Sequence, residues 1–251
     1  YIISGAQIEL RGLTFHAYHG VLLEERQLGN TFVVDLLLEA DISLAFCTDA
    51  LRDTVNYAEV YGVVKREMDV LLATGAQMTS ALLAIAITEL GGKAVSLTGW
   101  QAGITTDSLH RNARIEAVKS SRIMQHFEQG EIVVIAGFQG IDVHNNITTL
   151  GKGGSETTAV AVAAAISAER VDIYTNVDGI YTADPSIVPN ARKLKELSYD
   201  EMLELSNLGA NILHPRAVEL AKKYNIPVIV RSSTVDVEGT LLKEEREMEK
   251  N

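Results

Sequence analysis

The chain has 251 residues, of which 47% are hydrophobic, enough to bury one large core or two smaller ones. Its formal net charge is −11 and its basic residues are scattered rather than striped, so the backbone of a nucleic acid is repelled over most of the surface. The single cysteine, Cys47, excludes an internal disulfide, no apolar run approaches the ~20 residues of a membrane span, and the opening YIISGAQIEL lacks a basic n-region and a long apolar h-region. A cytoplasmic protein with neither nucleic-acid nor membrane partners is expected.

Residues 7–15 (QIELRGLTF) and 31–42 (TFVVDLLLEADI) alternate or run apolar with β-branched residues, and read as two strands around the loop HAYHGVLLEERQLGN. Asn56 is a good N-cap, and the run after it puts Val60, Val64, Met68 and Leu71 on one helical face until Gly75 stops it. Further helices are predicted near 76–90, 120–129, 157–168, 198–207 and 214–224, and strands near 94–98, 131–136, 171–175 and 227–231. Helices interleaved with short apolar strands imply an α/β fold, a mainly parallel sheet covered on both faces. The closing KEEREMEKN reads as a charged, frayed helical tail.

The feature closest to chemistry is a glycine-rich turn. ITTL runs into Gly151, Lys152, Gly153, Gly154 and Ser155 before an Ala/Val helix, so backbone N–H groups and a positive helix end converge beside an ammonium and a hydroxyl. That suits a small anion. It serves equally as a plain strand-to-helix corner, with glycines at positive φ and Ser155 as N-cap. The turn has neither the GKS or GKT ending of a P-loop nor the spacing of a dinucleotide fingerprint. His16 and His19 lie three apart without a third ligand, so no metal site is expected.

The motifs LLATGAQMTSALLAIAITELG, VSLTGWQAGITTDSLHRNARI, VVIAGFQGID, ITTLGKGGSETTAVAVAAAI, VDIYTNVDGIYTADPSIVPNARKLKELSYDEMLELSNLGANILHPRAVELAKKYNIPVIVRSS and EGTLL follow one another in this order. Over about residues 66–242 they resemble the catalytic domain of aspartate kinase, in the amino-acid kinase family. The resemblance implies a three-layer α/β/α fold in which aspartate and Mg-ATP meet over the carboxyl edge of the sheet for in-line transfer of the γ-phosphoryl group to the β-carboxylate. It implies Lys152 and Glu156 in catalytic positions, Gly153, Gly154 and Ser155 on the substrate, and Thr175, Asn176, Asp178, Tyr181 and Lys193 on the nucleotide side. Plainer roles stand beside these: Thr175 ends a strand, Asp178-Gly179 makes a turn, and Tyr181 packs. His214 and Arg216 in LHPRA read as a helix start with Pro215 at its first position.

Residues 8–65 are similar to the N-terminal half of dihydroneopterin aldolase, through YHG, LGN.F.VD and NYAE, and form a β-β-α piece. Glu25 and Tyr57 match that family's early glutamate and tyrosine; a solvated loop acid and a helix residue packed on the sheet are the simpler roles. The family's later glutamate and catalytic lysine have no counterpart, so aldolase activity is the weakest expectation. Three segments follow: 1–65 aldolase-like, 66–243 kinase-like and 244–251 tail, a composite.

Against the kinase pattern, Ala76 stands for the glutamate of TGEQ, Lys152 and Glu156 for the arginine and aspartate of GRGGSD, Asn176 for the aspartate of YTDVDG, and Ser186 for an arginine after ADP. The lysine-bearing KFGGTS segment has no match in residues 1–65. The expectation is ATP-dependent aspartate phosphorylation at a low rate or none. The alternative is a non-catalytic composite that binds nucleotide or anion weakly or self-associates through an uncovered sheet edge.

Overall fold

In the computed structural model, residues 6–17, 30–210 and 212–244 are described. Strands β1 (Ala6–Ala17) and β2 (Asn30–Ala40) pair antiparallel, with Ala6 opposite Ala40 and Ala17 opposite Asn30. The register shifts at a bulge between Leu10 and Leu13, where the Gly12 N–H donates to Asp35 Oδ1 at 2.6 Å. A short helix α1 (Ser43–Thr48) leads to α2 (Tyr57–Glu89), so the expected strand-strand-helix order is present. Asn56 caps α2 as its sequence predicts, accepting the Ala58 N–H at 3.0 Å.

Helix α2 corrects two expectations. It runs through Gly75 without a break for 33 residues. A mid-helix glycine costs only about 1 kcal/mol relative to alanine, and the burial of Met68, Leu72 and Ala73 before it and Ser80 and Ala84 after it outweighs that. It also carries no charge from Val70 to Thr88, so by length and composition it is apolar enough to cross a membrane, where no apolar run of that length was expected. One face packs on the sheets. On another, Leu71, Met78, Leu82 and Ile85 are 52–59% exposed.

The remainder runs β3 (Ala94–Leu97), β4 (Ile104–Thr106), β5 (Ile115–Val118), α3 (Ser121–Glu128), β6 (Ile132–Ile135), β7 (Gln139–Ile141), β8 (Ile147–Thr149), α4 (Gly154–Ala165) and β9 (Val171–Thr175). It closes with β10 (Glu196–Ser198), α5 (Tyr199–Asn207), α6 (Pro215–Tyr224), β11 (Val228–Ser232) and β12 (Thr240–Lys243). The expected mainly parallel sheet is instead mixed and divided. β3 pairs parallel with β6, one four-stranded sheet is ordered β5-β4-β7-β8, and another β10-β12-β11-β9, with antiparallel neighbours at β4/β5, β7/β8 and β11/β12.

Helix α4 fixes the glycine turn because, past its polar first turn, residues 159–165 are apolar on every side. Val160 and Ala163 enter the larger core with Val171, Met202, Val218, Val230 and Leu242, while Val162 and Ile166 pack on a second core around Leu97, Ala102 and Ile123. Two cores grip one helix, and its N-terminus carries the turn. The tail 245–251 and the loop bearing His19 and Glu25 lie outside the described residues.

Candidate active site

Strand β8 ends at Thr149, and Gly151 and Gly153 follow in the left-handed region at φ 78° and 70°. Helix α4 begins at Gly154, three residues earlier than expected, and its N-cap is Gly153 rather than Ser155. Close approach dictates this, since a Cβ on Gly153 would lie 2.1 Å from the His214 Cβ. Ser155 therefore sits within the first turn, exposed, its hydroxyl not used as a cap. The Gly154 N–H is spent on the Gly151 carbonyl at 3.1 Å, so the helix-start donors presented to an anion are those of Ser155 and Glu156.

Glu156 turns inward and accepts the His214 N–H at 2.7 Å. Burial pushes its carboxyl above the ordinary range, although that N–H and the nearby Lys152 pull the other way. His214 caps α6 with Nδ1, which accepts the Arg216 N–H at 3.3 Å. Burial, Arg216 and Lys152 together lower its pKa, which favours a neutral ring; with Nδ1 accepting, the ring proton belongs on Nε2. Arg216 reaches back across the turn, donating to the Leu150 carbonyl at 3.1 Å and to Asn112 Oδ1 at 2.7 Å. A recess of about 170 Å³ opens among Lys152, Gly153, Glu156, Ser206, Leu213 and His214.

On the other side of the α5–α6 connection lies a cleft of about 770 Å³. Its floor runs from Asn176 to Pro185, and Leu205, Ile212 and Val235 add apolar wall. Asp178 is the polar centre: Lys193 Nζ lies 3.2 Å from it and the Tyr181 hydroxyl donates at 3.1 Å. Burial pushes its carboxyl up, but the bonds from Lys193 and Tyr181 hold it below the usual range. Lys193 also donates to the Glu238 carbonyl, so the lysine expected near ATP is engaged within the protein. Gly179 makes this possible, because a Cβ there would come within 2.6 Å of Lys193 Cε. Thr175 donates to Asn176 Oδ1 at 3.1 Å at the end of β9, and Ser186 bonds Asp184 rather than facing the cleft as a charge.

Recess and cleft both border Ala210. Of the residues expected on the acceptor side, Lys152, Gly153 and Glu156 line the recess while Gly154 and Ser155 do not, and of those expected on the nucleotide side, Asn176, Asp178 and Tyr181 line the cleft while Thr175 and Lys193 do not. Tyr57 is not among them: it is 67% exposed at the start of α2, which also corrects its expected packing against the sheet. His214 and Arg216 are read from sequence only as a helix start, yet His214 lines the recess and Arg216 braces the turn through Leu150 and Asn112. Nothing local in LHPRA signals that, since their partners are at Gly153, Glu156, Leu150 and Asn112.

Among the described residues no cluster of three or more His, Cys, Asp or Glu is arranged for a metal ion. The volume and mixed lining of the cleft fit a nucleoside-sized ligand.

The amino acid kinase family model matches residues 22–232, and the chain belongs to that family. The match takes in much of the segment read as aldolase-like. Within the family the chain is similar to the aspartokinase of Geobacillus stearothermophilus, 54% identical over 232 residues, covering 92% of this chain and 55% of the relative. Among solved structures, the aspartate kinase of Synechocystis superposes with a TM-score of 0.63 at 47% identity over 72% of this chain and 29% of its own. E. coli aspartokinase III in complex with aspartate and ADP gives 0.68 at 30% identity, over 73% of this chain and 42% of its own. The chain spans about half the length of the curated relatives it matches.

Proposed function

We propose that this chain is the kinase domain of an aspartokinase-type phosphotransferase, moving the γ-phosphoryl group of ATP to the side-chain carboxylate of aspartate. The carrying observation is the adjacency of the glycine-turn recess and the apolar cleft at Ala210. In this reading Lys152 draws the acceptor carboxylate to the turn, and the helix-start N–H groups and Ser155 hold the phosphoryl oxygens. Glu156 and His214 form the recess floor, where a neutral imidazole donating from Nε2 adds no competing positive charge. The cleft holds the nucleoside. Mg²⁺ bound with ATP would supply charge neutralisation, with phosphate and water as its main ligands, since among the described residues no carboxylate cluster is arranged for it. The three-layer arrangement and a cytoplasmic setting belong to the same reading.

Turnover is slow or absent in this account, for two reasons inside the chain. Ala76 offers no carboxylate to the substrate amino group, and the ammonium of Lys152 cannot make the two-bond planar grip of a guanidinium. The engagement of Lys193 by Asp178 favours a second reading, a weak nucleotide- or anion-binding composite without catalysis. The aldolase reading of residues 8–65 rests on motifs alone. Calorimetry with Mg-ATP, aspartate and a pterin separates the three: heat with Mg-ATP and with aspartate supports the kinase site, heat with Mg-ATP alone supports the binding composite, and heat with the pterin alone overturns both.

A further inference from the structure

We propose that Asp69, on α2 and remote from the recess in sequence, is the positioning residue that sets the glycine turn; this rests on reading that turn as the anion site. Asp69 is fully buried. Its Oδ1 accepts the Thr149 hydroxyl at 2.6 Å, and its Oδ2 accepts the Thr149 N–H at 3.2 Å, the Arg111 N–H at 3.0 Å and His110 Nδ1 at 2.9 Å. Four donors converge on the two oxygens, three on Oδ2 and one on Oδ1, as suits an ionised, acceptor-only carboxylate. An asparagine there loses the charge, and its NH₂ faces three donors at the Oδ2 position or leaves the Thr149 hydroxyl to turn and accept at the Oδ1 position.

What Asp69 holds is the seat of the turn. Thr149 is the last residue of β8, and its carbonyl accepts the Ala113 N–H at 2.9 Å, so the 107–114 loop runs beside the strand end. Arg111 adopts φ 74°, a left-handed conformation unfavourable for a non-glycine residue, and Asp69 grips its N–H. The Arg111 carbonyl in turn lies so close to Gly151 that a Cβ there would approach it to 2.9 Å. From the far side Arg216 bonds Leu150 and Asn112, which links the same loop to the start of α6 and to His214. A continuous set of contacts therefore runs from α2 through Asp69 to both walls of the recess. Asp69 touches no ligand in this scheme; it acts through Thr149 and the 107–114 loop.

The test uses the full chain, with Asp69→Asn, Thr149→Val, Thr149→Ser and, as a control on the same helix, Ser80→Ala, whose hydroxyl bonds Ser96 away from the turn. Amide hydrogen exchange is read at Ala113 and Gly154, neither of which bonds Asp69 directly, and inorganic phosphate is titrated against the turn amides by NMR. Orphaning buried donors predicts exchange at least ~10-fold faster at both amides, and phosphate affinity ~5-fold or more weaker, in Asp69→Asn and Thr149→Val. Thr149→Ser restores both readouts, and Ser80→Ala moves neither. Unchanged exchange at Ala113 and Gly154 in Asp69→Asn overturns the proposal, and if that variant does not fold, unchanged exchange in Thr149→Val does so. Phosphate that moves no amide even in the unaltered chain defeats the anion-site reading instead, while exchange still decides the role of Asp69.

Discussion

Gly153 and Glu156 show how single residues bear on the site. Gly153→Ala places a methyl group inside His214 and forces a left-handed alanine; strain alone costs about 1–3 kcal/mol. A clear drop in denaturation midpoint is expected, and an unaltered midpoint would show that His214 moves aside freely. Glu156 carries a pH signature. Its folded pKa is raised above the ordinary 4.5, chiefly by burial, so its stabilising contribution is complete below 4.5 and lost as pH rises through the folded value. Glu156→Gln keeps an acceptor for the His214 N–H and removes the desolvated charge. Calorimetric melts should show the variant gaining on the unaltered chain at pH 7, with the gain shrinking toward pH 4; a loss at pH 7 would mean that the charge-assisted bond from the His214 N–H, together with Lys152, outweighs burial. The glycine-rich turn was legible in the sequence because its residue types are local. Its partners were not: His214 is 58 positions from Glu156, and Asp69 is 80 from Thr149.

At the scale of elements, legibility followed length and local signals. Strand β9, α5 and α6 lie where the sequence placed them; the structure adds a capping box of Ser198 and Glu201 at α5, and Pro215 sits at N1 of α6 as read. Three-residue strands such as β4, β7 and β10 carry no readable period, and β4 and β7 bring two of the antiparallel pairings that made the sheets mixed. Gly75 misled because a local breaker signal was opposed by burial on both sides of it. Gly75→Ala should accordingly stabilise the protein by about 0.5–1 kcal/mol, by helix propensity, and chemical denaturation would expose a kinked or functional glycine if it destabilised instead. The start of α4 came early for a steric reason, the contact of Gly153 with His214. Inorganic phosphate should shift the amides of Ser155 and Glu156; unmoved amides at saturation would leave a structural corner only.

For the whole molecule, the apolar stripe Leu71, Met78, Leu82 and Ile85 on α2 is large for a surface left to water. Self-association is the expected outcome, seen by light scattering as a mass above 27.3 kDa, and a strict monomer would contradict it. The central claim is that the molecule retains an aspartokinase-type site whose chemistry is impaired at Ala76 and Lys152. Loss of a single preorganised electrostatic contact costs about 10²–10³ in rate, and such losses do not simply multiply. Ala76→Glu, Lys152→Arg and Glu156→Asp together should tighten aspartate binding by calorimetry. The most direct measurement traps aspartyl phosphate as its hydroxamate, omitting Mg-ATP and aspartate in turn, beside the Geobacillus stearothermophilus aspartokinase. The account predicts a signal at least ~100-fold below that relative, whereas a rate within tenfold of it, dependent on both substrates and abolished in Ser155→Ala, would show the site to be intact.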